Sequence, residues 1–136
     1  MNIEAFINQA AGVFNNEGTP CDFGCSQRSV PTMIEYIKKH LSPYPYCVVA
    51  DWKWIDMNAS QEIRESLGNY GFKPSALLAR RVITDERMRP FKSVRTTLLQ
   101  GFHKNCIFLT RNTAYILSGP GTRVSVDSRV FTCIFG

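Results

Sequence analysis

CIFLTRNTAYILSGPGTRVSV, residues 106–126, decides the class of fold. Three short apolar and β-branched runs, Cys106 to Thr110, Thr113 to Leu117 and Thr122 to Val126, are separated by Arg111-Asn112 and Gly119-Pro120-Gly121. Runs of that length between turn residues predict strands. Asn tolerates the positive φ of a tight turn, so the first two runs are read as a hairpin, and Gly-Pro-Gly as the next hairpin turn. The same glycines with Arg123 also suggest a phosphate cradle. Such a cradle needs converging backbone N–H groups, commonly at a helix N-terminus. Pro120 removes one N–H and no helical period follows, so the segment is read as a structural turn.

Outward from this stretch, the period of apolar residues changes along the chain. Ile3, Phe6, Ile7, Ala10 and Phe14 recur at helical spacing, with Asn2 as a cap and Asn15-Asn16-Glu17-Gly18 as a stop. GTPCDFGCSQR, residues 18–28, has no period and reads as a loop. Val30, Met33, Ile34, Ile37 and Leu41 mark a second helix, capped by Ser29 and ended by Pro43 and Pro45. Tyr46 to Ala50 predicts a buried strand continuing toward Trp52 and Trp54. A third, short helix is expected from Asn58, with Gln61 completing a capping box, to Gly68 and Gly71. Beyond Pro74 strands dominate, around 76–79, 82–83 and 94–99. Helices first and strands later predict an α+β fold, N-terminal helices packed on a mainly antiparallel sheet, rather than a doubly wound parallel one.

The chain has 136 residues, of which 44% are hydrophobic and 20% charged. That length and balance suit one domain, residues 1–136, with a core that needs no metal or disulfide. The five cysteines, at 21, 25, 47, 106 and 133, are an odd set, and the start of the chain does not resemble a signal peptide. A cytoplasmic protein with no membrane span is expected.

The formal charge of +5 favours an acidic partner. Its source is concentrated: between Arg80 and Arg111 there are eight basic residues and two acidic ones. Arg80, Arg87, Arg89, Lys92 and Arg95 cluster there around Phe91. Arginine forks suit carboxylates and phosphates, and Phe91 can stack or pack against a partner; a solvated loop is the plainer reading. Trp52 and Trp54 project to one strand face and would add anchoring area if exposed.

Catalytic signals are weaker. Cys21 and Cys25 in CDFGC lack a second ligand pair, so no metal is expected. His40 suits a helix C-terminus, and His103 could act as a base but has no nucleophile or carboxylate assigned to it. Asp51 and Asp56 bracket the tryptophans without defining an acid–base pair. No cofactor and no catalytic residue are assigned.

DWKW (51–54), GF (71–72), VRTTLLQGF (94–102) and the opening stretch together resemble an uncharacterised family of small bacterial domains that also occurs in prophages and bacteriophages. The resemblance covers about the last two thirds of the chain, leaves the first 45 residues outside, and brings no activity with it. It implies an accessory protein of a phage or mobile element that modulates a host system. Three functions are carried forward: a non-enzymatic binding protein that inhibits or adapts a host machine through Arg87, Arg89, Phe91, Lys92 and Arg95, with Trp52 and Trp54 as anchors; a nucleic-acid-binding protein; and a small enzyme using His103 on an anionic substrate.

Overall fold

The computed structural model describes residues 1–15 and 18–136. Among these residues four α-helices accompany eight strands in one mixed sheet: α1 (Ile3–Phe14), β1 (Thr19–Cys21), α2 (Val30–His40), β2 (Tyr46–Asn58), α3 (Gln61–Asn69), β3 (Ser75–Asp85), β4 (Val94–Arg95), β5 (Gly101–His103), β6 (Ile107–Leu109), β7 (Ala114–Leu117), β8 (Gly121–Asp127) and α4 (Ser128–Phe135). The fold is α+β as expected, and α1 and α2 both pack on the sheet.

The long strand β2 organises everything else. One of its edges pairs antiparallel with β3. The other carries two parallel strands in tandem, β7 along Tyr46–Val49 and β8 along Trp52–Asn58. The remaining pairings are antiparallel. The sheet also curls back on itself. The segment from Lys92 to His103 bonds first to β3 and then, through Gln100 and β5, to β6. Hydrogen bonds therefore lead from β2 through β3 to the Lys92–His103 segment, and from the same segment through β6 and β7 back to β2.

Trp52, Trp54, Cys47, Val49, Leu77, Ala79, Leu99, Phe108, Tyr115 and Leu117 fill the concave side as one buried cluster. Strict alternation would put Cys47 and Val49 on the opposite face from Trp52 and Trp54. Asp51 lies between them with φ of 50°, an irregularity that reverses the parity. Val48 and Ile55 consequently face outward, under separate helices. Ile37 of α2 packs with Val48, Ile107 and Ile116, while Val13 of α1 and Val130, Phe131 and Ile134 of α4 pack with Ile55 and Val126.

The Gly-Pro-Gly segment does turn the chain, but it is not a hairpin turn. β7 and β8 do not pair with each other; they follow one another along β2. Between Val49↔Leu117 and Trp52↔Gly121, the β7–β8 side carries one residue more than β2. Gly119, with φ of 72°, takes up this excess. Likewise, positive φ falls not at Asn112 but at Lys104 and Asn105, in the β5–β6 hairpin.

Other boundaries move for local reasons. β2 runs through Asn58, so Ser60 caps α3, its hydroxyl accepting from the Ile63 N–H. Thr19–Cys21, expected as loop, is an edge strand on β8. α4, which no sequence expectation included, starts at Asp127, whose carboxylate accepts from the Arg129 N–H. Asn2 caps α1 as expected, and Asn15 follows its last residue; the Asn16-Glu17 part of the expected stop lies outside the described residues.

α1 has no basic residue in its last turn, and the sheet supplies the missing cation. The buried Lys53 Nζ donates to the carbonyls of Gly12 and Val13 at 3.1 and 3.0 Å. Such charge-assisted bonds complete helix-end carbonyls that would otherwise be orphaned. Lys53→Met is expected to cost about 2–3 kcal/mol. Hydrogen exchange should show faster exchange in α1, and unchanged protection there would refute the tie.

Candidate functional site

The Trp pair and the basic segment, considered together from the sequence, differ in exposure. Trp52 and Trp54 are 2% and 4% exposed. Their role as partner anchors was conditional on exposure, and the structure corrects it: both belong to the core. The Trp52 Nε1 donates to the Gly119 carbonyl at 3.0 Å, and the Trp54 Nε1 to Asp56 at 3.0 Å. Gly121 lies against the Trp52 ring, so the Gly-Pro-Gly segment is the seat of an indole. Arg123 is committed too. It pairs with both oxygens of Asp56 at 2.6 and 3.2 Å and lies over the Trp54 ring at 5.0 Å.

Within the basic segment the arginines divide by partner. Arg89 binds Asp85 through two bonds of 2.6 and 3.2 Å, and the Asp85 side chain is only 4% exposed. Burial works against the Asp85 charge, but bonds from the Arg89 guanidinium and from backbone N–H groups outweigh it and hold the carboxyl below its ordinary range. Arg87 donates to the Asn112 carbonyl and to the Thr113 hydroxyl, fastening the β3–β4 connection to the β6–β7 turn. Glu86 accepts from the Tyr46 N–H. The connection between β3 and β4 is largely exposed, as a solvated loop would be, but these ties show that Arg87 and Arg89 hold the segment in shape.

What that scaffold presents is different. Phe91 is 53% exposed, with the Arg89 guanidinium 5.4 Å from its ring centre. Across a groove of about 530 Å³ stands Phe14, at the end of α1 and 48% exposed. Leu78, Ala79 and Val94 also line the groove, as do Arg80 and Arg95. Arg80 donates to the Phe14 carbonyl, and Arg95 to the Ile134 carbonyl at 3.2 Å. Both therefore sit at helix C-termini, where cations are favoured. Neither pairs with a carboxylate among the described residues. The exposed Lys92, beside Phe91, likewise has no side-chain ion pair or hydrogen bond among them.

Four other arginines are internally neutralised: Arg81 by Asp51, Arg89 by Asp85, Arg123 by Asp56 and Arg129 by Asp127. The candidate site is thus Phe14, Phe91, Arg80, Lys92 and Arg95. Phe14 escaped sequence reasoning because its helical spacing marked it as core. The missed signal is its place in the last turn of the helix.

The chemistry-bearing residues lie elsewhere. His103 packs against Tyr36 of α2 at 6.3 Å between ring centres, and Lys104 lies 5.0 Å over the same ring. No carboxylate contacts His103 among the described residues. Cys21 and Cys25 are split between the concave and convex clusters. Burial raises the Cys25 thiol and pushes those of Cys47 and Cys106 up to about 11 and about 12, so all three are held protonated at neutral pH. No helix among the described residues is long and apolar enough to cross a membrane.

Residues 22–133 match the family described as Domain of unknown function (DUF6957), and the chain belongs to that family. The match begins at Asp22, well before the region of resemblance noted from the sequence, and takes in α2 and every strand except β1. α1, which supplies Phe14, precedes it. No curated protein and no solved structure matches the chain.

Proposed function

We propose that this member of the family is a non-enzymatic binding protein whose groove between α1 and the β3–β4 connection docks an acidic protein surface. One observation carries this reading: two half-exposed phenylalanine rings share a groove with Arg80 and Arg95, with Lys92 next to Phe91 in the chain, and none of these three cations has a carboxylate partner among the described residues, while four other arginines are neutralised internally. Exposed aromatics rimmed by positive charge combine desolvated anchoring area with electrostatic steering. In a phage or mobile element, such a surface would occupy an interface of a host machine and so inhibit or adapt it. Five free thiols fit a reducing compartment such as the cytoplasm.

The test is co-purification from a host lysate with Lys92→Glu/Arg95→Glu as control, after circular dichroism shows that the variant is folded. A partner recovered at stoichiometric level by the native protein should be lost from the variant. Identical recoveries from both would refute the reading.

A second reading rests on the same rings. Aromatics beside arginines also make a platform for single-stranded nucleic acid. Three phosphate contacts, however, imply a salt exponent of only about −2, weak for a dedicated binder. Absence of any shift with DNA or RNA pools at low salt would end this alternative.

A further inference from the structure

Helix α1 carries two apolar lines. Phe6, Ala10 and Val13 pack toward the sheet, whereas Ile3, Ile7 and Phe14 are 77%, 57% and 48% exposed. At roughly 100° per residue, positions 3, 7 and 14 fall within about 40° of one another, so they form a single stripe about 16 Å long. Isolated exposed apolar side chains need no explanation. An aligned stripe that runs into a groove does, and Phe14 belongs to both.

We propose that the Ile3–Ile7–Phe14 stripe and the groove it enters form one continuous track for an acidic amphipathic helix of a partner protein. The inference rests on the binding reading above and deepens it by naming the partner's shape and chemistry. The stripe spans three turns, and a helix laid along it can interlock its own i, i+4 ridge with this one. Charge selects the occupant. Arg80 and Arg95 line the groove at the C-terminal end of α1, and the exposed Lys92 follows Phe91 in the chain, so the matching part of the partner carries Asp and Glu, or a helix C-terminus, which is itself negative.

A second copy of this chain is the poorer fit. Antiparallel packing of two α1 helices would set the positive N-terminal end of one over the basic groove of the other. Parallel packing would bring the two basic grooves side by side.

The test uses the full chain and fluorescence anisotropy with four probes. One is a peptide of about 16 residues, long enough to follow the stripe, with leucines at helical spacing and glutamates on its flanks. The second has the same composition with the period scrambled. The third replaces glutamate by lysine, and the fourth is an oligothymidylate of about 20 nucleotides.

The periodic acidic peptide should bind about tenfold or more tighter than its scrambled form, a difference of ~1.4 kcal/mol. Ile3→Asp/Ile7→Asp should abolish that preference while leaving the weaker, charge-driven binding. Lys92→Glu/Arg95→Glu should weaken both acidic peptides. Thermal melting checks the folding of each variant, and Ile3 and Ile7 are exposed enough to tolerate substitution.

Equal binding of the two acidic peptides, still dependent on Lys92 and Arg95, overturns the helical track and leaves the basic-surface reading standing. Tighter binding of the lysine peptide overturns both, as does binding of the oligonucleotide alone or no binding at all. Sedimentation that shows a dimer dissolved by Ile7→Asp assigns the stripe to a second copy and likewise overturns the track.

Discussion

Gly121→Ala is expected to destabilise the domain by roughly 3 kcal/mol or more, beyond the usual cost of overpacking. A Cβ at Gly121 would lie 2.2 Å from Cδ2 and 2.3 Å from Cε2 of Trp52. These are atoms of a fused ring, with no flexible end to swing aside. Trp52 itself is 2% exposed and bonded to the Gly119 carbonyl, which fixes the ring in place. The backbone at Gly121 is outside the left-handed region, and the indole alone forbids a side chain there.

A double-mutant cycle separates this cause from any loss of backbone freedom. In a Trp52→Ala background, itself costing about 3–5 kcal/mol, the second change should cost only a few tenths. Denaturant unfolding measures all four corners. An undiminished Gly121→Ala penalty in that background would show that the contact with Trp52 is not the reason for the glycine.

Arg89→Ala is the second large effect, about 2–4 kcal/mol at neutral pH. Removing one member of an ion pair leaves the other uncompensated, and Asp85 is 4% exposed on its side chain; the partial exposure of Arg89, 26%, keeps the figure below that of a fully buried pair. The sign of the pH dependence follows from Asp85. Its folded pKa is depressed, so the pair's contribution is complete above the unfolded value of about 3.9 and is lost as pH falls through the folded value. The stability gap between native protein and variant should therefore be widest above about pH 5 and close as the pH drops below the ordinary aspartate range. Urea midpoints across pH 3–7 provide the measurement, and a pH-independent gap would mean that Arg89 acts through packing alone. Lys92→Ala, by contrast, should stay within about 0.5 kcal/mol at every pH. The three basic residues of this short loop thus differ in kind: two hold its shape and one faces solvent.

Much of the architecture could be read from local pattern. The helical period of Ile3 to Phe14 and of Val30 to Leu41, the β-branched run entering Trp52, and the paired runs around Arg111-Asn112 all became the elements they predict. β1, β5 and α4 were not anticipated. Thr19–Cys21 is too short to show a period, and Ser128–Phe135 follows a strand with only the Asp127 cap to mark its start. Half of the candidate site could be located as a basic segment around Phe91. Its other half could not, since Phe14 and Phe91 are far apart in the chain and come to line one groove only in the folded protein, where Arg80 of β3 bonds to the end of α1.

By itself the sequence determined the fold class, the three N-terminal helices and most of the strands, and the concentration of charge between Arg80 and Arg111, because each is a matter of composition and of period over neighbouring residues. Tertiary structure alone decided what individual residues do. Gly119 and Gly121 seat an indole from a strand nearly seventy positions earlier, and Arg123 pairs with an aspartate equally remote. Arg87 and Arg89 hold a loop, while Arg80 and Arg95 lack a carboxylate among the described residues. An arginine's chemistry is the same in every case. Whether its charge is consumed inside the protein or offered to a partner depends on which carboxylate or carbonyl the folded chain brings within about 3 Å, and that proximity comes from the pairing of distant strands.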